Sequence, residues 1–278
     1  MLTFPPGVFA ESSTAFPEIF RGNGVVALNK PSGIAVSRRP RDGGRAVLCG
    51  ELRRRIADGS ASALALGIAQ PDEVLPLDAD CSGATLIADR AGGALAAWRN
   101  AVGSGLLVFR FVFLTKPARG NGNSVPAKKF SADEPFDCTL PLAPHFSEPR
   151  AVVSHKTGKK SATRFLRTET FGEFALFCAE TRFPRLHQIR VHAAECGIPV
   201  VGDALYGGAE PVPNSVFCRK GRLNKGEERP IYAALCLHLA EIVVPAGALA
   251  AETVTISAPL PDGFAALLKK FRALRCRV

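Results

Sequence analysis

The segment 185–208 combines a dense set of polar side chains with an apolar run and a glycine-rich exit. It reads RLHQIRVHAAECGIPVVGDALYGG, and its first eight residues include Arg185, His187, Gln188, Arg190 and His192. A guanidinium group can keep a nearby carboxylate ionised in a partly dry cleft, and imidazole and amide groups can orient a loop by hydrogen bonds. This density of donors predicts a functional site rather than a core segment.

A metal site is not expected from these residues. His187 and His192 lack the helical i,i+4 spacing of a ligand pair, and no carboxylate stands at the distance of a known metal motif. The eight cysteines are scattered and form no Cys-x-x-Cys pair, which structural zinc normally needs. We therefore expect buried, reduced thiols in an intracellular protein.

Two earlier segments carry further polar groups at turns. The first is NKPSG at positions 29–33, and the second is LDADCSG at positions 77–83. Aspartate, serine and glycine together are typical of turns, so Asp78 can be interpreted as a turn residue. It can equally be interpreted as an anionic reactive group, and the residues alone leave both interpretations open.

Taken in order, the three segments resemble the motifs NKPSG, RLDRDTSG and GRTHQIRVH…HPIVGDPLYG of the RluA family of RNA pseudouridine synthases. The resemblance implies an α+β fold with a mainly antiparallel central sheet, flanking helices and an RNA-binding cleft. It also implies isomerisation of uridine to pseudouridine in structured RNA, either ribosomal or transfer RNA. That reaction breaks the bond between base and ribose, turns the base over and rejoins it through carbon, and it requires no cofactor and no metal.

The resemblance also assigns roles to particular residues. Asp78 corresponds to the family's nucleophile, Arg190 to its ion-pair partner, and Phe109 to a tyrosine that stacks on the base. Asp80 is then expected to be a turn and capping residue. The remaining assignments are loop support by His187, Gln188 and Ile189, and RNA binding by Lys30, Arg185, Lys128 and Lys129. For Lys30 the expected role is to position either a phosphate or the loop itself.

Three positions depart from the family pattern. Pro76 replaces an arginine two residues before Asp78, Phe109 lacks the hydroxyl of the family's tyrosine, and Pro184 replaces a glycine. Phe109 lies in an alternating run of phenylalanines, so a purely structural core role is open as well. These departures support an alternative hypothesis, a catalytically impaired homologue that acts as an RNA-binding or RNA-assembly protein.

Composition agrees with an RNA partner. The chain has 278 residues, a net charge of +10 and 47% hydrophobic residues, so it is expected to be globular and to attract polyanions. It has no apolar run of roughly 18 residues and no secretory signal pattern, which predicts a cytoplasmic protein without a membrane partner. A nucleotide-dependent enzyme is disfavoured because no GxxxxGK[ST] loop is present. We expect a monomer.

Hydrophobic periodicity predicts the elements that position these residues. Residues 1–21 are predicted to be an irregular arm, and residues 22–278 one catalytic domain without an S4-type RNA-binding module. The predicted strands cover 25–28, 84–88, 106–114 and 173–179, and Arg190 is expected on a further strand. The predicted helices cover 46–58 and 91–101, with two more within 191–196 and before 274. Two basic loops are expected at 116–130 and 210–230.

Overall fold

The computed structural model describes residues 2–38, 45–116, 134–217 and 228–275. The chain divides into two compact units. The first unit consists of Met1–Arg110, Thr181–Leu186 and Leu239–Pro259, and the second of Phe111–Glu180, His187–His238 and Leu260–Val278. Among the helices described, none is both long enough and apolar enough to cross a membrane.

The first unit contains the N-terminal strands and three helices. Its elements are β1 (Leu2–Phe4), β2 (Thr14–Phe16), β3 (Glu18–Gly22), β4 (Val25–Lys30), α1 (Leu48–Ala57), α2 (Ala61–Leu64), β5 (Pro71–Glu73), β6 (Ser82–Asp89) and α3 (Gly93–Gly103). β7 (Val108–Thr115) begins in this unit and ends in the second. The predicted strands at 25–28 and 84–88 and the predicted helices at 46–58 and 91–101 are confirmed.

The prediction of an irregular N-terminal arm is wrong. Strands β1 and β2 pair in antiparallel orientation, with Leu2 opposite Phe16. The rings of Phe4 and Phe16 are fully buried and meet edge to face at 5.5 Å, and Arg55 lies over Phe4 at 4.9 Å. Burial of these rings stabilises the segment even though its prolines and small polar residues are typical of a loop.

In the first unit the strand order is β3, β4, β6 and β13 (Leu237–Val244), with β5 on β6 and β14 (Val254–Ser257) on β13. β4 and β6 are antiparallel, and Lys30 at the end of β4 lies opposite Gly83 at the start of β6. The loop after β4 and the loop before β6 are therefore neighbours. Gly83 has φ +119°, and a Cβ there would come within 2.2 Å of the backbone oxygen of Leu239 on β13, so only glycine fits.

The second unit contains the rest of the sheet and the polar helix. Its elements are β8 (Phe136–Cys138), β9 (Leu142–Pro144), β10 (Ala151–Val153), β11 (Thr163–Phe171), β12 (Phe174–Thr181), α4 (Gln188–Glu195), a short 3₁₀ turn (Asn214–Phe217) and α5 (Asp262–Arg275). β12, β11 and β8 follow one another as antiparallel neighbours, and β9 pairs with β10. The predicted α+β class with a mainly antiparallel sheet is confirmed.

Aromatic rings form much of the core of the second unit. Phe113 of β7 stacks on Phe177 at 5.5 Å and meets Phe165 edge to face at 5.9 Å. Phe271 of α5 stacks on Phe171 at 5.1 Å. Along β7 the phenylalanines are buried while Arg110 and Val112 are partly exposed, as the alternating pattern predicts.

The predicted strand at Arg190 is wrong, because Arg190 lies on helix α4. This helix begins three residues earlier than the segment 191–196 in which a helix was predicted. It follows His187, which adopts the left-handed conformation with φ 50°, and Gly197 (φ 74°) ends it as predicted. All six residues from Gln188 to Ala193 are buried, so polar and apolar side chains alternate without an amphipathic period. Hydrogen bonds to these polar groups replace the periodicity from which a helix is normally predicted.

Candidate active site

The Asp78 loop of the first unit is held by the loop that follows β4. The ammonium group of Lys30 donates to the carbonyl oxygens of Ala79 at 2.9 Å and Pro31 at 3.0 Å. The backbone N–H of Gly33 also donates to Ala79, at 2.8 Å, and the hydroxyl of Ser32 donates to the carbonyl of Asp80. The NKPSG segment thus clasps the turn that carries Asp78.

Lys30 has zero exposed surface, so it cannot contact phosphate in this geometry. Of the two roles expected for it, the structure supports the positioning of the loop. Burial lowers the pKa of its ammonium group to about 8, while the nearby Cys81, Asp78 and Asp80 act in the opposite direction. Lys30 is therefore a buried cation close to the Asp78 carboxylate, a role that the sequence had suggested for Arg190 alone.

The Asp78 turn combines both interpretations that the sequence left open. The backbone N–H of Cys81 donates to the carbonyl of Asp78 at 3.1 Å, which closes a tight turn. Leu77 is buried and anchors the turn, Asp78 is partly exposed and Asp80 is exposed. A carboxylate on an anchored turn beside a buried cation is suited to nucleophilic attack.

In the second unit, Arg190 forms a bidentate ion pair with Asp203. Its Nε and Nη2 atoms each lie 2.8 Å from a carboxylate oxygen of Asp203, and the two side chains are 4% and 0% exposed. One oxygen of Asp203 also accepts the backbone N–H groups of Leu205 and Tyr206, at 3.2 and 3.3 Å. Such planar pairing fixes the orientation of a guanidinium group.

Tyr206 joins Arg190 to His187 and to strand β10. Its ring lies 5.2 Å from the guanidinium carbon of Arg190, and its hydroxyl is 2.9 Å from Nδ1 of His187. The same hydroxyl accepts the backbone N–H of Ala151 at 2.9 Å, and the carbonyl oxygen of Ala151 lies 3.2 Å away. His187 therefore makes an ordering hydrogen bond of the kind that was predicted for it.

Gln188 and His192 connect α4 to the start of β11. The amide nitrogen of Gln188 donates to the carbonyl of Ala162 at 2.9 Å and to the hydroxyl of Thr163 at 3.0 Å. Nδ1 of His192 lies 2.8 Å from the same hydroxyl. Ile189, on the same turn of the helix, is buried among apolar side chains. The helix is thus fixed by side chains on all sides.

The remaining predicted site residues have varied surroundings. Phe109 has zero exposed surface, so its ring is part of the core and presents no face to a base in this structure. Arg185 is partly exposed. Lys128, Lys129 and most of the basic cluster at 219–229 lie outside the described residues. The stacking role of Phe109, the RNA contacts and the pairing of Asp78 with Arg190 stay predictions.

Two residues of this site were missed by sequence reasoning, Asp203 and Tyr206. Both stand in the glycine-rich exit, which was interpreted only as a turn. A signal was available, because an arginine between apolar neighbours requires a carboxylate when it is buried. In the segment 185–208 the acids are Glu195 and Asp203, and Glu195 is exposed.

Comparison with known proteins agrees with the motifs. No family model matches the chain. Ribosomal large subunit pseudouridine synthase D of Haemophilus influenzae is 29% identical over 133 residues, which is 48% of this chain and 39% of that protein. The protein of the same name from Xylella fastidiosa is 34% identical over 116 residues, 42% of this chain and 33% of the relative. The matched segment therefore spans well under half the length of these relatives.

Solved structures show the same fold over nearly the whole chain. Human RNA pseudouridylate synthase domain containing 4 covers 92% of both chains with a TM-score of 0.60 and 17% identity. Human RNA pseudouridylate synthase domain containing 1 covers 93% of this chain and 95% of its own, with a TM-score of 0.55 and 16% identity. At these identities the likeness concerns the fold alone. Together with the three ordered motifs, the comparisons confirm the resemblance to the RluA family, and the chain is a relative of the pseudouridine synthases.

Proposed function

We propose that the protein isomerises uridine to pseudouridine in structured RNA, with Asp78 as the nucleophile. The names of the similar bacterial proteins favour ribosomal RNA over transfer RNA as the substrate. The observation that carries the proposal is the Asp78 turn, which is clasped by a fully buried lysine whose charge favours the ionised carboxylate.

In the proposed reaction the carboxylate of Asp78 initiates cleavage of the bond between ribose carbon 1′ and base nitrogen 1. The freed uracil turns over, and its carbon 5 bonds to carbon 1′ while the proton on carbon 5 is lost and nitrogen 1 gains one. Substrate and product are isomers, so the step consumes no other reactant. The target base must leave its stack to reach the carboxylate.

Arg190 is the proposed cationic partner of Asp78 during this step. Its bidentate pair with Asp203 uses the Nε edge of the guanidinium group and fixes the plane of the group. Asp203 would then act as a positioning residue through Arg190. Gln188 and His187 would position Arg190 further, because both hold the first turn of α4.

One observation favours the alternative function, a homologue with impaired catalysis that binds or assembles RNA. Phe109 replaces the family's tyrosine and is fully buried, so this position offers neither a hydroxyl nor a stacking face. Pro76 also lacks any side-chain or backbone hydrogen-bond donor. Both departures concern base handling rather than the nucleophile.

The test is pseudouridine mapping of total RNA from cells with and without the gene, complemented with wild-type protein or with Asp78→Asn. A modified uridine that is lost with the gene and restored by the wild type alone would support the enzyme and identify its substrate. If no site is lost while the purified protein binds RNA in a salt-sensitive manner, the alternative function is favoured.

Asp78→Asn is expected to lower isomerase activity at least about a thousand-fold, because an amide cannot replace a carboxylate nucleophile. RNA affinity should stay within about twofold, since the removed charge faces the base rather than phosphate. The matched control is Asp80→Asn, an exposed acid in the same turn, which should retain activity. A large loss of RNA binding by Asp78→Asn would contradict the assignment.

A further inference from the structure

The hairpin between β9 and β10 presents an exposed aromatic ring at its tip. Phe146 is 87% exposed, the highest exposure of any large apolar side chain among the described residues. Its ring lies 4.8 Å from the imidazole of His145 at an interplanar angle of 34°. The neighbouring Ser147 and Glu148 are exposed and polar. The exposed apolar surface is therefore one flat ring rather than a wide patch.

Hydrogen bonds order the tip that carries this ring. The backbone N–H of His145 donates to the carbonyl of Arg150 at 2.7 Å, and that of Arg150 donates to Glu148 at 2.8 Å. Nδ1 of His145 accepts the backbone N–H groups of Glu148 at 3.1 Å and Ser147 at 3.4 Å. The ring is consequently presented on a closed tip, which lowers the entropy cost of binding through it.

The hairpin is also connected to the candidate site within the second unit. Ala151 pairs with Pro144 across the hairpin, and both backbone groups of Ala151 contact the hydroxyl of Tyr206. That hydroxyl is hydrogen-bonded to His187, and its ring packs on Arg190. A ligand held at the tip would therefore be held at a fixed position relative to α4.

We propose that Phe146, supported by His145, is a stacking platform for an unpaired base of the RNA substrate near the modified uridine. The proposal rests on the proposed function, because it assumes an RNA ligand. A nucleobase fits the observations better than a protein does, since a stable protein interface buries roughly 800 Å² on each partner and the apolar surface here is a single ring. The net charge of +10 favours the polyanionic ligand.

The test measures binding of the full-length protein to a fluorescein-labelled RNA hairpin with an unpaired, uridine-containing loop. Phe146→Ala is expected to raise the Kd about 5- to 100-fold, the range that base–aromatic stacking supplies. Phe146→Trp should restore the Kd to within about twofold of the wild type, because it keeps a stacking face. The matched control is Val216→Ala, another exposed apolar residue of the second unit, which should leave the Kd unchanged.

The possible outcomes separate this inference from the function on which it rests. Equal RNA binding by Phe146→Ala and the wild type would overturn the stacking platform alone. A loss of self-association in sedimentation with unchanged RNA binding would assign the ring to a second copy of the chain and also overturn it. If the wild type binds no RNA, both the proposed function and this inference fail. Unfolding midpoints should match in all variants, because Phe146 is exposed.

Discussion

The Asp78 turn and the Arg190 helix are held in opposite ways. Around Asp78, the side chains of Lys30 and Ser32 bond to backbone carbonyl oxygens, so the turn needs few particular side chains as partners. Around Arg190, almost every contact joins two side chains, as in the pair with Asp203. Contacts to backbone survive substitution of the acceptor residue, whereas a buried network of side chains fails when one member is removed. The helix is therefore the part of the site that mutation should damage most.

The largest effect on stability is expected from Asp203→Ala. Removing this carboxylate leaves the guanidinium of Arg190 buried without its ion pair, which should lower the free energy of unfolding by about 3–5 kcal/mol. The measurement is urea unfolding followed by circular dichroism. The matched control is Glu169→Ala, which removes the partner of Arg272 in a more exposed pair and should cost below about 1 kcal/mol. Equal costs in the two variants would remove the contrast between the two regions.

A smaller effect that depends on pH is expected from Lys30→Met. The unfolded lysine keeps its proton up to its ordinary pKa of 10.5, whereas burial makes the folded amine lose it near 8. Between these values the unfolded state binds more protons, so the wild type gains stability relative to the variant as pH rises, by up to about 3 kcal/mol. Urea unfolding of both proteins from about pH 7 to about pH 10 tests this.

The control for Lys30 is Lys156→Met, at an exposed lysine of the second unit. The difference in stability between this variant and the wild type should not change with pH. If the difference between Lys30→Met and the wild type is equally constant, the ammonium group of Lys30 is not held in the environment described here.

The smallest effect is expected from Tyr206→Phe. This change keeps the ring over Arg190 but removes the hydroxyl that accepts the N–H of Ala151 and bonds His187. The loss should be about 0.5–1.5 kcal/mol, the usual net value of one hydrogen-bonding group. Faster hydrogen exchange at the amide of Ala151, together with a lower unfolding midpoint, would confirm it, and an unchanged exchange rate would contradict it.

The elements that sequence predicted well are those with a simple hydrophobic period. Leu95 and Trp98 are buried on one face of α3, and the phenylalanines of β7 alternate with partly exposed residues, so both patterns carry their own signal. Helix α4 has no such signal, because Gln188, Arg190 and His192 are as buried as their apolar neighbours. The N-terminal strands were missed for a related reason, since their stabilising contacts are between Phe4, Phe16 and the distant Arg55.

The candidate site was predicted only in part, and the reason is chemical. Sequence motifs identify which residues are polar and closely spaced, but partners emerge only when the chain folds. Lys30 and Asp78 are 48 positions apart and come together because β4 and β6 are antiparallel neighbours. Asp203 was visible in the sequence as an acid, yet its bond to Arg190 requires α4 and the following turn to fold back together.

Gly83 has a consequence for judging which relatives of this protein are active. Any side chain at this position would collide with the backbone of Leu239, whether or not RNA is ever modified. A descendant that had lost its chemistry would still need this glycine in order to fold, so its presence in a genome sequence is uninformative about activity. The turn at Asp78 uses a backbone carbonyl that any residue would supply. Loss of that single acid is therefore the mark by which a silent member of the lineage should be recognised.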